Sequence, residues 1–440
     1  MTKLPDKAGP AHVGAADRIQ NIPHCRSQQT GNPFIVNTLF NWVAIAGTCA
    51  LLAACNSGDS TSSNQPAPSG FKVQPADGAA IITWNQELNV NYWLFGAQSS
   101  SVTVQNVLSQ PGSILIDGVT SPYVSTGLTN GLVYSYLMNA NTGSDKAGPA
   151  TAAVSVVPVA SGYTWTNGAP MAAANIYGQT FNLGTYVAVG AGGAALTSSD
   201  GATWTPQSTG TTEDLYAATY TSSLAAVYVA VGANGTIVTS PDGVTWKVQT
   251  SGSITSANLR AVTQNGSYYV AVGDNGTVMT STNAYDWTLQ AAPTSSNFYG
   301  ITYDSTNSTF YAVGQGGLLM SSTDGWQWTT LNSGTTQDLY SIATGNSLWV
   351  AVGANGTIVQ SADAGTWYPQ TSNTSENLYS VVYGSQFVAV GGGGIALNGT
   401  TTGTAWTGSN PQTSSDLRSV SFFYYRLLAL GTGGTNTLSY

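Results

Sequence analysis

Charged side chains are scarce in this sequence: 7% of its 440 residues are Asp, Glu, Lys or Arg, against roughly a quarter in ordinary soluble domains. Long amphipathic helices, coiled coils and charge-solvated disorder all need more charge than this, so none is expected. Basic residues are the rarer sign, 10 against 19 acids. With a formal charge of −9 there is no basic stripe to neutralise phosphates, which argues against nucleic acid as a partner. Histidine and cysteine are rarer still: His12, His24, Cys25 and Cys49 all precede Cys55, and neither residue type occurs after it. Residues 56–440 therefore contain no Ser–His–Asp or Cys–His nucleophile system, no His/Cys metal site and no disulfide among themselves. No metal and no cofactor is expected. What is abundant is 51 Gly, 23 Tyr and 12 Trp, the composition of a glycine-turned, aromatic-packed all-β protein.

Residues 39–54 form an uncharged, mostly apolar stretch of sixteen, preceded by Lys3, Lys7, Arg18 and Arg26 and ending in Leu52-Ala53-Ala54-Cys55. It is shorter than the roughly 20 residues of a membrane span. The pattern resembles a bacterial lipoprotein signal peptide with its lipobox. That resemblance implies cleavage before Cys55, a diacylglyceryl group on its thiol and acylation of the new amine. Several acyl chains on one residue anchor stably, because each buried CH₂ contributes about 0.8 kcal/mol. The expected organisation is a signal peptide over 1–54, then a lipidated Cys55 and a Ser/Pro/Gly linker over 55–70. The membrane is then a partner through the lipid, and Asn56, in place of the Asp associated with inner-membrane retention, favours the outer membrane of the cell envelope. The cleaved chain would carry six basic residues, Lys72, Lys146, Lys247, Arg260, Arg418 and Arg426, and seventeen acidic ones.

From 71 to 160 short alternating runs are separated by turn residues: FKVQP, AAIITWN, VNYWLF, SVTVQNV, SPYVSTGL, LVYSYLMNA and ATAAVSVVP. About seven short strands in some 90 residues predict a small antiparallel β-sandwich. With Trp84, Tyr92 and a Leu128…Gly131…Tyr134 corner, the segment resembles a fibronectin type III domain. It departs from that pattern at Asn130, where the family has Pro. Trp84 and Tyr134 are expected in the core.

From 161 to 440 the chain repeats itself. The motif YVAVG and its variants end at Gly190, Gly232, Gly273, Gly314, Gly353, Gly391 and Gly431, at spacings of 42, 41, 41, 39, 38 and 40. A Trp follows fourteen residues after each of the first five (Trp204, Trp246, Trp287, Trp328, Trp367) and fifteen after the sixth (Trp406). The seventh copy has no such Trp, but Trp165 precedes the first copy with no strands of its own before it. A period near 40 with four short strands per copy predicts a seven-bladed β-propeller preceded by the small β-sandwich. The strand around Trp165 would complete the last blade and remove its free edge. Ala at the centre of YVAVG would let neighbouring blades approach while the flanking valines fill the opposite face. Ala233-Asn234-Gly235 is a tight-hairpin signal, because Asn and Gly tolerate positive φ.

Before each Trp stands a turn such as Ser198-Ser-Asp200-Gly201-Ala-Thr-Trp204, Ser240-Pro-Asp242-Gly243-Val-Thr-Trp246 or Ser322-Thr-Asp324-Gly325-Trp-Gln-Trp328. These resemble Asp-boxes of BNR-type propellers, a group that includes sialidases, sortilin-type receptors, xyloglucanases and photosystem II assembly-factor-like proteins. The copies are one residue shorter than the usual box, and those at Asn283 and Asp363 are degenerate. The resemblance implies that Asp200, Asp242 and Asp324 are structural turn-formers on the face opposite a binding site.

The start of each copy supplies the candidate site. Aligned, the copies give Asn175/Tyr177, Asp214/Tyr216, Asn258/Arg260, Asn297/Tyr299, Asp338/Tyr340, Asn377/Tyr379 and Asp416/Arg418. A ring of Asp or Asn followed by a ring of five Tyr and two Arg would line the top of the channel. Tyr and Arg join flat apolar area to hydrogen-bonding tips, suited to sugars or peptides. The alternative is scaffold: Asx-turns at the strand starts, with Tyr packed between blades. Arg260 and Arg418 break the repeat and are the sharpest site signal. The expected function is a non-catalytic platform binding a protein or glycan ligand through Tyr177, Tyr216, Arg260, Tyr299, Tyr340, Tyr379, Arg418, Asp214, Asp338 and Asp416. Two other readings stay open. One is a glycoside hydrolase using paired carboxylates or, with Arg426, a sialidase-like arginine triad; the other is a structural spacer.

Overall fold

The computed structural model describes residues 65–142, 147–171, 174–182, 184–221, 226–249 and 254–439. The expected signal segment and the lipidation candidate Cys55 lie outside the described residues.

Between residues 165 and 439 the repeat folds as seven four-stranded antiparallel sheets, which we number in chain order. The second comprises Leu215–Thr221, Val227–Gly232, Ile237–Ser240 and Lys247–Val248. The first strand of each sheet packs against the first strands of the sheets before and after it, and that of the seventh meets that of the first. These strands enclose a central channel, a β-propeller arrangement.

Strand composition explains the packing. In Val227–Gly232, Val229 and Val231 face Leu259, Val262 and Tyr269 of the third sheet, whereas Tyr228 and Ala230 face Val187 and Val189 of the first. A fully buried Val contributes roughly 1.5–3 kcal/mol, and the Ala on the other face keeps the sheets close. The turn that follows matches the Asn-Gly signal: Asn234 and Gly235 have φ of 52° and 68°, and the Thr236 N–H donates to the Ala233 carbonyl at 2.9 Å. That is a type I′ geometry.

The seventh sheet has three strands of its own, Leu417–Phe423, Arg426–Gly431 and Asn436–Ser439, and its fourth is Trp165–Asn167, with Ser439 opposite Trp165. Trp165 is buried and its indole N–H donates to the Gly162 carbonyl at 3.0 Å. The six tryptophans at the equivalent position, Trp204, Trp246, Trp287, Trp328, Trp367 and Trp406, make the same bond to the carbonyl three residues back, at 2.8–3.2 Å.

Two further sheets precede the repeat. One has three strands, Lys72–Ala76, Ala79–Thr83 and Tyr123–Thr126; the other has four, Ile114–Asp117, Asn91–Ala97, Tyr134–Asn141 and Val154–Val156. They share a core of Ile82, Trp84, Tyr92, Leu94, Tyr136 and Met138, and the Thr129 N–H donates to the Tyr134 hydroxyl at 3.0 Å. One expected strand is corrected. Residues 101–107 are not a strand: the Asn106 side chain accepts from Thr103 N–H at 2.7 Å and Val107 N–H donates to the Thr103 carbonyl at 2.9 Å. This local turn outcompetes the alternation of Val102 and Val104, and the strand lies at Ile114–Asp117 instead.

Asn130 has a specific task. Its side chain donates to Asp77 at 2.9 Å and accepts from Gly78 N–H at 2.9 Å. Asp77 is buried and also accepts from the hydroxyls of Ser161 and Ser385, while its N–H donates to the Tyr425 carbonyl. Gln74 accepts from Arg426 at 2.6 Å. These bonds join the preceding sheets to the hairpins of the sixth and seventh.

Candidate functional site

The ring side chains owe their placement to a backbone irregularity that occurs seven times. Where the first strand of each sheet begins, its register against the second strand slips by one residue: Leu215 opposes Gly232 and Ala217 opposes Val231, leaving Tyr216 unpaired. The same slip falls at Tyr177, Arg260, Tyr299, Tyr340, Tyr379 and Arg418. Each ring residue is therefore the extra residue of a β-bulge, a feature that re-aims a side chain. The glycine closing every YVAVG motif makes the slip possible. A Cβ on Gly232 would collide with the carbonyl oxygen of Asp214, and the other six glycines meet their Asx carbonyls likewise. The most visible residue of the repeat thus serves the ring.

The Asp and Asn two residues earlier, immediately before each strand, hold a neighbouring turn rather than form an Asx-turn of their own, which corrects that detail of the scaffold alternative while keeping a framework role for them. Each uses one side-chain oxygen to accept a backbone N–H from the turn of the preceding sheet, at 2.8–3.1 Å. Asp214 takes that of Gly192, and Asn175 closes the circuit by taking that of Gly433. The donor is in every case the first positive-φ residue of the turn, so each strand start holds its neighbour's hairpin.

The structure brings the ring together at one mouth of the channel, around a cavity of about 720 Å³. All seven Tyr and Arg side chains line it with Asp214 and Asp338; Asp416 does not, and stands behind Arg418. The half-buried tyrosines pack at tilted angles, Tyr177–Tyr216, Tyr299–Tyr340 and Tyr340–Tyr379 having centroids 5.6–5.8 Å apart and interplanar angles of 34–52°. The two guanidinium groups continue the aromatic series, Arg260 lying 4.8 Å above the Tyr216 ring and Arg418 3.9 Å above Tyr379. Burial raises the pKa of Tyr216 and of Tyr340, which keeps both phenols protonated as donors at neutral pH.

Neither arginine is a bare cation. Arg260 is bidentate to Asp274, at 2.8 and 2.9 Å, and Asn258 donates to the same carboxylate at 2.8 Å. Burial pushes Asp274 up, but these bonds from Arg260 and Asn258 hold it below the ordinary carboxylate value. Asp274 is missing from the sequence reading. The signal was available: the corresponding turn positions are Ala191, Ala233, Gln315, Ala354, Gly392 and Thr432, so the one acid falls in the copy that carries Arg260. Arg418 pairs with Asp416 at 2.8 Å, and its Nε has no partner among the described residues. Arg426 does not join them. It sits beside Phe423 at the far end of the seventh sheet, about five residues and roughly 17 Å of strand away, so no arginine triad forms.

Asp200, Asp242 and Asp324 lie at that far end of their sheets, in the hairpins between third and fourth strands. Each accepts from the backbone N–H groups two and three residues on, at 2.6–3.0 Å, and from the Ser two residues back. Bonds from Thr245 and Val244 hold the Asp242 carboxyl at about 2. Asn283 and Asp363 make the same bonds in the degenerate copies. Among the described residues no group of three or more His, Cys, Asp or Glu could hold a metal ion, and no helix is long and apolar enough to cross a membrane.

No protein-family model matches the sequence, and no curated protein matches it. Solved structures do. The chain is similar to the structure described as YCF48 bound to D1 peptide, with 15% identity, a TM-score of 0.53, and 63% of this chain and 94% of that one covered. YCF48 from Cyanidioschyzon merolae gives 15%, 0.51, 63% and 98%. Virginiamycin B lyase from Staphylococcus aureus gives 13%, 0.55, 63% and 98%. At such identities the likeness shows the fold alone: this is an all-β chain carrying a β-propeller similar to those of YCF48 and virginiamycin B lyase.

Proposed function

We propose that this protein is a lipid-anchored cell-envelope protein whose seven-bladed, Asp-box-type propeller is a non-catalytic platform for a protein segment or a glycan. In this reading residues 71–160 are a fibronectin type III-like sandwich acting as a stalk. Residues 161–440 are the propeller, closed by the Trp165 strand, and Cys55 carries the acyl chains in the outer membrane. The observation that carries the reading is the open ring of five tyrosines and two tyrosine-stacked arginines around the channel mouth.

The chemistry of that ring favours recognition. Phenols offer flat apolar area with a donor at the tip, and guanidinium planes lying on tyrosine rings extend the same surface. Asp214 and Asp338 use one carboxylate oxygen on a neighbouring turn and leave the other for a ligand N–H or O–H. A similar propeller is described as bound to a peptide, which supports a peptide among the possible ligands.

Peptide and glycan arrays probed with the purified protein test the reading. The ligands found should lose roughly thirtyfold or more in affinity for each anchor removed in Tyr216→Ala/Tyr340→Ala, since tyrosine and arginine anchors each contribute about 2 kcal/mol or more. Arg260→Ala/Arg418→Ala should weaken them as well. Unchanged affinity in both double variants, or the absence of any ligand, would remove the ring as a site. Hydrolysis of a polymeric glycan would replace the platform by an enzyme. The anchor is tested separately: Cys55→Ala should abolish labelling by a fatty-acid analogue and release the protein from the membrane fraction.

A further inference from the structure

Charge is distributed unevenly around the channel mouth. At the ring end of the sheets stand Glu213, Asp214, Asp274, Asp338, Glu376 and Asp416 against Arg260 and Arg418, a formal excess of four negative charges. Glu213 accepts from the Asn234 amide of a ring-end turn at 2.9 Å, and a Cβ on Gly392, in another such turn, would meet the Glu376 carboxylate. The other basic residues of the repeat lie away from the ring: Lys247 follows the Asp242 hairpin and Arg426 sits beside Phe423. Both ring guanidinium groups are already matched, Arg260 by Asp274 and Arg418 by Asp416. The excess therefore rests on the remaining four carboxylates.

Two of those four line the cavity itself. Asp214 and Asp338 are three sheets apart in a circuit of seven, so they face the mouth from opposite sides. One oxygen of each accepts from a glycine N–H, of Gly192 and of Gly316, at 2.8 Å. The second oxygen of each has no partner among the described residues and is not buried. The same holds for the hydroxyls of all five ring tyrosines. Below the ring the channel narrows to a space of about 180 Å³, because the residue after each ring residue is Gly, Ala or Ser. The mouth is thus a wide bowl, about 720 Å³, above a narrow stem.

We propose that the ring takes a lysine or arginine side chain of a protein segment, inserted into the channel mouth. This rests on the ring being a binding site, and it names the ligand. A basic side chain is apolar along its stem and charged at its tip. The stem lies on tyrosine faces, which also attract a cation, and the tip donates to phenol and carboxylate oxygens. An anionic group would enter against the excess negative charge and find both guanidinium groups occupied. A neutral sugar could stack on the tyrosines but would gain nothing from that charge. The bowl falls within the roughly 300–1,000 Å³ of ligand pockets, room for the residues on either side of the inserted one.

Peptide libraries tests it, with short neutral sequences randomised around a central Arg, Lys, Gln or Glu, captured by the full chain and then measured singly by fluorescence anisotropy. Arg- or Lys-centred peptides should be retained. Exchanging the central residue of the tightest one for Gln should weaken it roughly tenfold or more, the effect of losing a hydrogen bond to a charged group. Asp214→Asn/Asp338→Asn should weaken it comparably, and added salt should weaken binding to the unaltered protein. Asn stands at this position in four other sheets and holds the neighbouring turn there, so the fold has precedent; melting curves verify it, and either single variant suffices if the pair does not fold. Asp242→Asn, the same change of charge at the other end of a sheet, should bind as the unaltered protein does. If Gln- or Glu-centred peptides bind as tightly and still depend on Tyr216 and Tyr340, the ring remains a site and the basic side chain is overturned. Basic peptides that bind regardless of both Asp214→Asn/Asp338→Asn and Tyr216→Ala/Tyr340→Ala bind elsewhere, which overturns the ring as well. Retention of no library overturns the protein segment, and spermidine binding as tightly as the best peptide replaces it by a free amine.

Discussion

In the second sheet Asp242 accepts hydrogen bonds from Val244 and Thr245, two and three residues further along its own hairpin. At the other end of the same sheet Asp214 accepts from Gly192, which belongs to the turn of the sheet before it. The same carboxylate oxygen thus stabilises a local turn in one region and a junction in the other. The difference accounts for how each region varies. A hairpin that satisfies itself tolerates degeneration one copy at a time, as Asn283 and Asp363 show by keeping the same bonds. The ring end is a closed circuit in which each sheet holds the next, so Asp or Asn is kept in all seven copies while the bulged residue beyond it is free to change from Tyr to Arg.

The largest expected effect comes from breaking the circuit at its backbone. Gly353→Ala places a Cβ against the carbonyl oxygen of Asp338, the atom that also accepts the Ala354 N–H at 2.8 Å. Overpacking rigid backbone should cost about 3 kcal/mol, read as a lower urea midpoint, and ring ligands should be lost with it. A cost below about 1 kcal/mol would mean that the bulge is not what requires glycine.

A smaller effect is expected in the hairpins, and there charge and hydrogen bonding can be separated. Asp242→Ala should cost about 1 kcal/mol, the scale of a lost helix cap. Asp242→Asn should cost less than half of that at neutral pH, because Asn283 accepts the same two N–H bonds as an amide. The two variants differ from the parent in acid. Asp242 is held at about 2 by bonds from Thr245 and Val244, below its value in the unfolded chain, so its contribution is complete above about pH 4 and lost as the pH falls toward 2. Melting temperatures between pH 5 and pH 2 should fall less steeply for Asp242→Asn. An unchanged slope would show that Asp242 titrates alike in folded and unfolded chains.

The contrast also explains what could be read from the sequence. Self-contained hairpins announce themselves: Ser, Asp, Gly and Trp lie within seven residues, and the missing seventh Trp points to Trp165, whose indole bonds to Gly162 as the others bond within their own turns. The alternation of Val and Ala gave the faces of the sheets for the same reason. Bonds between sheets are written nowhere in one copy. Asp214 looks like a turn-former until Gly192 is placed beside it, and the pairing of Arg260 with Asp274 follows only from comparing copies at two positions together. The bulge was hidden because a period of two carries no mark of one extra residue. Residues 101–107 misled in the opposite way, their alternation overruled by Asn106.

The subtlest difference between the two regions lies in the ring itself, where one copy carries both Arg260 and Asp274. The pair is partly exposed, at 32% and 16%, so water and salt screen it and its removal should change stability by less than about 1 kcal/mol. Asp274→Asn keeps an amide where the carboxylate stood and leaves the Arg260 guanidinium, still over the Tyr216 ring, without its counter-charge. If the ring binds ligands through that guanidinium, a carboxylate-bearing peptide should bind several-fold more tightly to Asp274→Asn, and the gain should fade as salt is raised. A neutral glycan bound by stacking on the tyrosines should be indifferent to the substitution. Equal affinities for the charged peptide in parent and variant would assign Arg260 to the ring's framework, as one more residue holding a turn, and leave recognition to the tyrosines.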